Sequence, residues 1–438
     1  MKRKTCQIVF KTTATAWFIL LFVIIGSVTS QAVPFPDSKE KNTKVTCDST
    51  TAKPFEVLPD SSNFVTASVL ISSPGEGAFY AMGHTGLRLR CPSFGHDYCF
   101  SYVTYLNQGP LFNLVLMAGK MRAGFEAVGF DEYINGFREK GRGVREFPLN
   151  LTLSEERALW ELMDNQMMKG MTLPFDFMEH NCTSSIFQSI ESILQSEDFV
   201  YPKRGVLLKN RRDGIAEIMG KTPWIEFLTI TMMSALSPND PCPLELFICP
   251  SLWAELLPEA KIVGLDGSVR PALDSEVKEL LPVKWQPTPM WWTPIRVFGL
   301  LLAFVLLVTL AEWLLHWRRL PKAIDVMLFV IYTIFSAFLL YAVCVRLFIV
   351  SWNNFLLVFN LLPLLLWLFF RRKRWFGKVY GLYALALVAF MIFFWIYQSR
   401  IEWPHEFLLA VLLTRCISRY FQNKKSWKNS KSSQAIHP

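Results

Sequence analysis

The C-terminal part of this chain carries four long apolar runs, at 297–315, 326–345, 349–370 and 379–397, and a weaker fifth at 407–421. An α-helix needs about 20 such residues to cross the hydrocarbon core of a bilayer. Backbone polar groups in lipid must be satisfied within the protein, so these runs predict a bundle of four to five transmembrane helices. Charge then sets the orientation. Arg318, Arg319 and Lys322 lie in one connection, Arg371, Arg372, Lys373, Arg374 and Lys378 in another, and Lys424, Lys425, Lys428 and Lys431 in the tail; the intervening connections carry only Arg346 and Arg400. Basic loops stay in the cytoplasm, which exports residues 31 to 290 and, with five crossings, keeps the tail inside. Trp291, Trp292, Trp352 and Trp403 fall near the predicted outer interface, where amphipathic rings are favoured.

The N-terminus agrees with export. Met1, Lys2, Arg3 and Lys4 precede an apolar run from Ala14 to Ile25 and small residues around Val28 to Ala32, as in a secretory signal peptide. An uncleaved anchor helix is the other reading. The expected organisation is a signal or anchor at 1–30, an exported domain at 31–280, a stiff proline-rich connector at 281–294, a helical membrane domain at 295–421 and a basic cytoplasmic tail at 422–438. Much of the formal charge of +9 sits in the topology-setting loops and the N-terminus, which argues against a nucleic-acid partner.

The exported domain reads as α+β. "NFVTASVLISSP" (63–74) and "HTGLRLRC" (84–91) alternate as strands, the second with Thr85, Leu87 and Leu89 on one face, and "DYCFSYVTYL" follows a turn as an antiparallel partner. The stretch at 109–143 reads as a core helix running into a surface loop, or as a helix dipping into lipid headgroups. "VREFPLNLT" predicts a strand, and Thr152 with Glu155 a capping box opening a helix through Lys169, with Leu159, Leu162 and Met163 inward. Six of the nine cysteines are exported. Cys91 with Cys99, and Cys242 with Cys249, are close enough in sequence to close small disulfide loops, leaving Cys47 and Cys182 to pair or stay free.

"HNCTSSIFQSIESIL" (180–194) places Cys182 where a helix begins. Ile186, Phe187, Ile190, Ile193 and Leu194 recur at helical spacing, and Asn181 is a good N-cap. A thiol there meets the positive end of the helix dipole, which favours thiolate, although most cysteines on apolar helix faces are packing. The base to match it is His84, at the start of a strand after Gly83. His96 or Tyr102 are possible orienting groups for it, while His180 reads as a rim residue.

This order, a strand histidine, a second strand, then Asn-Cys opening a helix, resembles the circularly permuted papain-like (NlpC/LRAT-like) thiol enzymes. "MGHTGLRL" (82–89), "FPLNLTLSEERALWELM" (147–163) and "FDFMEHNCTSSI" (175–186) look more closely like the periplasmic domain of the bacterial lipoprotein N-acyltransferases of the Lnb family, over about residues 60 to 260, with the membrane bundle in the same place. The resemblance implies a multi-pass protein of the bacterial cytoplasmic membrane whose thiol domain faces the periplasm. It implies Cys182 as nucleophile, His84 as general base, a phospholipid acyl donor, a diacylated lipoprotein acceptor and no cofactor. Met82 stands where an aromatic residue is expected, His180 where an aspartate precedes Asn-Cys, and Ser101 where Asn-Tyr is expected, which leaves the third catalytic group open. Lys120, Arg122, Arg88 and Arg90 are candidates to meet phosphate headgroups or to form a solvated face. The rival functions are a periplasmic thiol amidase or peptidase acting on cell-wall peptides, and an inactive papain-like module that signals through the membrane bundle.

Overall fold

The computed structural model describes residues 65–75, 80–103, 121–170, 172–175, 180–194, 197–201, 222–232, 249–287, 290–344, 353–397 and 403–434. The expected signal segment, Cys47, Lys120, Cys242 and the apolar stretch at 109–120 lie outside these residues. Two compact units divide the chain, the first built from residues up to 203 together with 248–287, the second from 204–247 together with 288 onward.

In the first unit the elements follow as β1 (Thr66–Ser72), β2 (His84–Cys91), β3 (His96–Val103), β4 (Arg122–Gly129), α1 (Phe130–Glu139), β5 (Val144–Pro148), α2 (Leu153–Lys169), β6 (Thr172–Pro174), α3 (Cys182–Ile193) and β7 (Glu197–Val200). After α4, described below, come α5 (Pro250–Leu256), β8 (Lys261–Gly264), β9 (Val269–Pro271) and β10 (Lys278–Leu281). Seven strands form one antiparallel sheet in the order β10-β5-β1-β2-β3-β4-β6, and β7-β8-β9 form a second.

Period-two alternation sorts the side chains of the large sheet into two cores. Val69, Ile71, Leu87, Leu89, Phe100 and Phe147 meet Leu159 and Met163 of α2, Ile186 and Ile190 of α3 and Trp253 of α5. On the opposite face Leu70, Cys99 and Val144 meet Tyr133, Ile134 and Phe137 of α1. Each such side chain contributes about 1.5–3 kcal/mol when fully buried, so the register that keeps both faces apolar is strongly selected. Helix α2 begins as its sequence predicts, with reciprocal bonds between Thr152 and Glu155.

Two expectations are corrected. Cys91 and Cys99 do not pair: Cys91 lies opposite His96 and Cys99 opposite Arg88, which puts the two thiols on opposite faces of the sheet, and both are free and buried. Cys249 is also free. The second part of 109–143 is no surface loop but a strand, β4, and a helix, α1, whose buried residues the glycines and charges had masked. At the start of the connector the amides of Lys284 and Trp285 both donate to Gly141 O, at 2.9 and 2.7 Å.

The second unit contains α4 (Pro223–Met232), α6 (Pro294–Leu314), α7 (Arg319–Cys344), α8 (Leu362–Phe370), α9 (Gly377–Tyr397) and α10 (Trp403–Gln434). Among the described residues three helices, α6, α7 and α9, are long and apolar enough to cross a membrane. The expected span at 349–370 is interrupted. Asn353 caps a short 3-10 turn, Asn360 turns the chain again by accepting from Leu362 N, and Pro363 sits in the first turn of the nine-residue α8. Helix α10 carries Glu406, Arg415 and Arg419 within its apolar part. Charges among apolar helices are expensive unless paired, and the two arginines are paired: Arg415 meets Glu312 at 3.0 Å and Asp325 at 2.6 Å, and Arg419 bonds both acids. The cluster ties α6, α7 and α10 together. Helix α4 belongs to this unit, where Thr231 Oγ1 lies 2.8 Å from His405 Nε2 and Asn353 donates to the Thr231 and Met232 carbonyls.

Candidate active site

Asn181 builds the start of α3. Its Oδ1 accepts from Thr183 N at 2.8 Å and Ser184 N at 2.9 Å, and its own amide donates to Ser184 Oγ at 2.9 Å. Two of the helix's orphan donors are thereby used, while the Cys182 amide turns toward its own sulfur. Thr183, fully buried, pins the helix to β2 through a 2.9 Å bond between its hydroxyl and that of Thr85. The β2–β3 ladder begins only at Gly86 opposite Ser101, and one residue earlier the Thr85 amide donates to the Cys182 sulfur.

Four hydrogen bonds favour thiolate here: from the Thr85 amide, the Thr183 hydroxyl and the amides of Cys182 and Thr183. Burial outweighs them and pushes the Cys182 thiol above its ordinary value. The expectation that the helix start would lower it is corrected: the amides there do act to lower it, and burial raises it by more. Cys249, which caps α5 nearby, is pushed up to about 12 by burial and stays a thiol.

His84 precedes Thr85 and opens β2. Gly83, at φ 94°, makes that opening possible, since a Cβ there would stand 2.5 Å from Ser72 O and 3.2 Å from Pro250. The imidazole stacks on Phe137 at 6.3 Å between ring centres, and its Nε2 is sealed from solvent without a hydrogen-bond partner. Among the described residues no hydrogen bond therefore joins this nitrogen to the sulfur. Burial, then the charges of Arg142 and Lys140, bring the His84 pKa down to about 3, so the ring is neutral and able to accept a proton.

Of the orienting candidates, His96 pairs with Cys91 at the far end of β2, about 24 Å along an eight-residue strand, where it is exposed beside Phe94 and Trp160. It cannot orient His84. Tyr102 is buried one residue beyond Ser101, at the same end of the sheet as Thr85, against Phe125. Arg88 is no headgroup ligand, because Asp97 and Glu146 hold its guanidinium at 2.6 and 2.9 Å. Two site residues escaped the sequence reading. Tyr133 of α1 puts its buried hydroxyl 2.5 Å from where a Gly86 Cβ would be, within the electrostatic reach of Cys182 and Arg142. Arg142 follows α1 and lies against both His84's neighbours and the sulfur's field.

Comparison with known families places this geometry. A family model described as the Lnb N-terminal periplasmic domain matches residues 60–201, and one described as the Lnb transmembrane domain matches residues 286–426. The chain belongs to the Lnb family. It is a membrane protein with an N-terminal periplasmic domain and a C-terminal membrane part. No curated protein and no solved structure gives a significant match. Cys182, His84, Tyr133 and Arg142 all lie within the match to the Lnb periplasmic domain, whereas α5 and Cys249 lie between the two matched segments.

The state of His84 has a measurable consequence for this Lnb protein. Folded His84 takes a proton only near pH 3, while the same side chain in the unfolded chain takes one near 6.5. Between these values the unfolded chain binds more protons, so stability falls as pH drops from 6.5 toward 3. The expected loss from this group between pH 7 and pH 4 is about 3 kcal/mol. In chemical denaturation of the full chain in detergent, His84→Gln should flatten that part of the pH profile; an unchanged profile would mean the imidazole is solvated.

Proposed function

We propose that this protein is a membrane-bound lipoprotein N-acyltransferase using Cys182 as nucleophile and His84 as general base. The Cys182 sulfur attacks an ester carbonyl of a phospholipid, and His84 takes the thiol proton. The oxyanion is met by the Cys182 amide at the start of α3. Collapse expels the lysophospholipid alkoxide, which takes the proton from His84, and leaves a Cys182 thioester. The α-amine of a diacylated lipoprotein then attacks the thioester, His84 takes a proton from the amine, and the sulfur leaves and is reprotonated. No cofactor or metal enters these steps.

The observation that supports this most is the meeting of an Asn181-capped cysteine with the first residues of β2, next to His84, in a protein of the Lnb family. Both substrates are lipids of one membrane, and a thiol domain carried on a membrane part gains effective concentration over a free one. The localisation that goes with it is the bacterial cytoplasmic membrane, with the thiol domain facing the periplasm. Mass analysis of lipoproteins tests the reading: cells lacking this protein, and any second enzyme of its kind, should accumulate diacylated forms with a free α-amine. Unchanged N-acylation would remove the acyltransferase reading, and altered muropeptides with normal lipoproteins would put a thiol amidase in its place.

A further inference from the structure

Resting on the acyltransferase reading, we propose that Arg142 is an anion subsite that takes the phosphodiester of the donor lipid beside Cys182 and His84. Arg142 is only 3% exposed, yet no carboxylate answers its charge among the described residues. Two other arginines of the same domain are treated differently: Arg88 is held by Asp97 and Glu146, and Arg270 by Glu155. A buried cation without a counter-ion costs several kcal/mol, and the fold invests in holding this one still. Its amide donates to Phe137 O at 3.0 Å, the preceding Gly141 carbonyl accepts from Lys284 and Trp285, and the following Gly143 exchanges bonds with Ser73.

The guanidinium itself makes three hydrogen bonds, all to neutral acceptors. Nε donates to Ser73 O at 2.9 Å, and Nη2 to Ser72 Oγ at 2.7 Å and Ser73 O at 2.8 Å. Nη1 has no hydrogen bond among the described residues, which leaves it to receive an anion's oxygen. The aromatic faces of Tyr80 and Phe137, 5.1 and 4.9 Å from the guanidinium carbon, stabilise the charge without neutralising it. Lys140 adds a second cation over the Tyr80 ring. The site is tied to the base: Ser72, which Arg142 bonds, is the register partner of His84 and donates to its carbonyl at 3.4 Å, and Phe137 carries both the imidazole and the guanidinium.

The chemistry of the donor fits this place. A glycerophospholipid holds its phosphodiester one glycerol unit from the ester that Cys182 would attack, so an anion site next to the sulfur positions the carbonyl. The phosphodiester also supplies a negative charge that no carboxylate among the described residues brings to Arg142. With Arg142 and Lys140 neutralised, the imidazolium of His84 is no longer opposed by two cations, so an occupied donor site holds a stronger base than an empty one.

Thioester formation on Cys182 in the full chain in neutral detergent micelles, followed by intact mass, tests this with two donors of equal acyl chain: phosphatidylglycerol and an uncharged p-nitrophenyl ester. Arg142→Gln should lower the ratio of kcat/KM for phosphatidylglycerol to that for the neutral ester about 10- to 100-fold. Arg142→Lys, which keeps charge without the planar fork, should fall between; if the glutamine variant does not fold, the lysine variant carries the comparison. An unchanged ratio overturns the proposal, including the case in which both donors are lost equally because the charge serves the sulfur or the oxyanion. Inorganic phosphate that alters the neutral-ester rate of the wild type but not of Arg142→Gln would assign the site to free phosphate rather than lipid. Failure of the wild type to acylate from phosphatidylglycerol sinks the acyltransferase reading itself, a result separate from any effect of Arg142.

Discussion

If the proposed function holds, Cys182→Ala should abolish acyl transfer, and His84→Ala should come close to it. Without the sulfur no thioester forms, and loss of a covalent nucleophile lowers turnover by about 10⁴-fold or more. Removing the base should cost about 10²- to 10⁴-fold. On the proposed mechanism the base matters more here than for a preformed thiolate. Burial holds the thiol above its ordinary value and His84 near 3. Both shifts set proton transfer from the thiol to the imidazole uphill. Catalysis needs the imidazole to approach the sulfur and its basicity to rise, and neither can happen with alanine at 84. Both variants should stay folded. Apart from the Thr85 amide, the Cys182 sulfur has only a 4.0 Å contact with the Thr183 hydroxyl and the amides at the helix start, and Asn181 rather than Cys182 caps α3. Soluble near-native protein with transfer abolished is the expected result. Activity surviving in Cys182→Ala would show that the nucleophile lies elsewhere.

Gly83→Ala should be the most damaging single-methyl change in the exported domain. Its φ of 94° is closed to other residues, and the added Cβ would press to 2.5 Å on the Ser72 carbonyl, a backbone atom inside the β1–β2 ladder that cannot swing away. Relief requires moving the start of β2, and with it His84 and Thr85. We expect a loss of about 3 kcal/mol or more, read as a fall in the unfolding midpoint, together with a drop in kcat/KM. Gly95→Ala is the control. Gly95 also has positive φ, at 69°, but a Cβ there meets nothing within 4 Å, so about 1 kcal/mol and no loss of activity is expected.

How much of this was legible in the sequence depended on whether the signal was local. The alternation at 84–91, the Thr152 and Glu155 capping box and the Asn181 cap are set by neighbours in the chain, and each stands where its pattern put it. Membership of the Lnb family was likewise carried by short motifs. The role of Arg142 was not legible, since nothing in "EKGRGVREF" distinguishes an arginine that lacks a carboxylate from Arg88, which has two. That difference arises only when β1, β5 and α1 come together. The mispairing of Cys91 and Cys99 has the same origin, because an eight-residue separation suggests proximity, whereas strand register decides the face. The interrupted run at 349–370 was visible in Asn353, Asn360 and Pro363, whose breaking of the helix a count of apolar residues overlooks.

The most direct measurement of the central claim is the intact mass of the purified full chain after incubation with phosphatidylglycerol alone, without acceptor. The account predicts one added acyl chain per molecule, located on Cys182, released by neutral hydroxylamine as a thioester must be, and absent from Cys182→Ala. An unmodified chain, or an acyl group that maps to another residue or resists hydroxylamine, would contradict it.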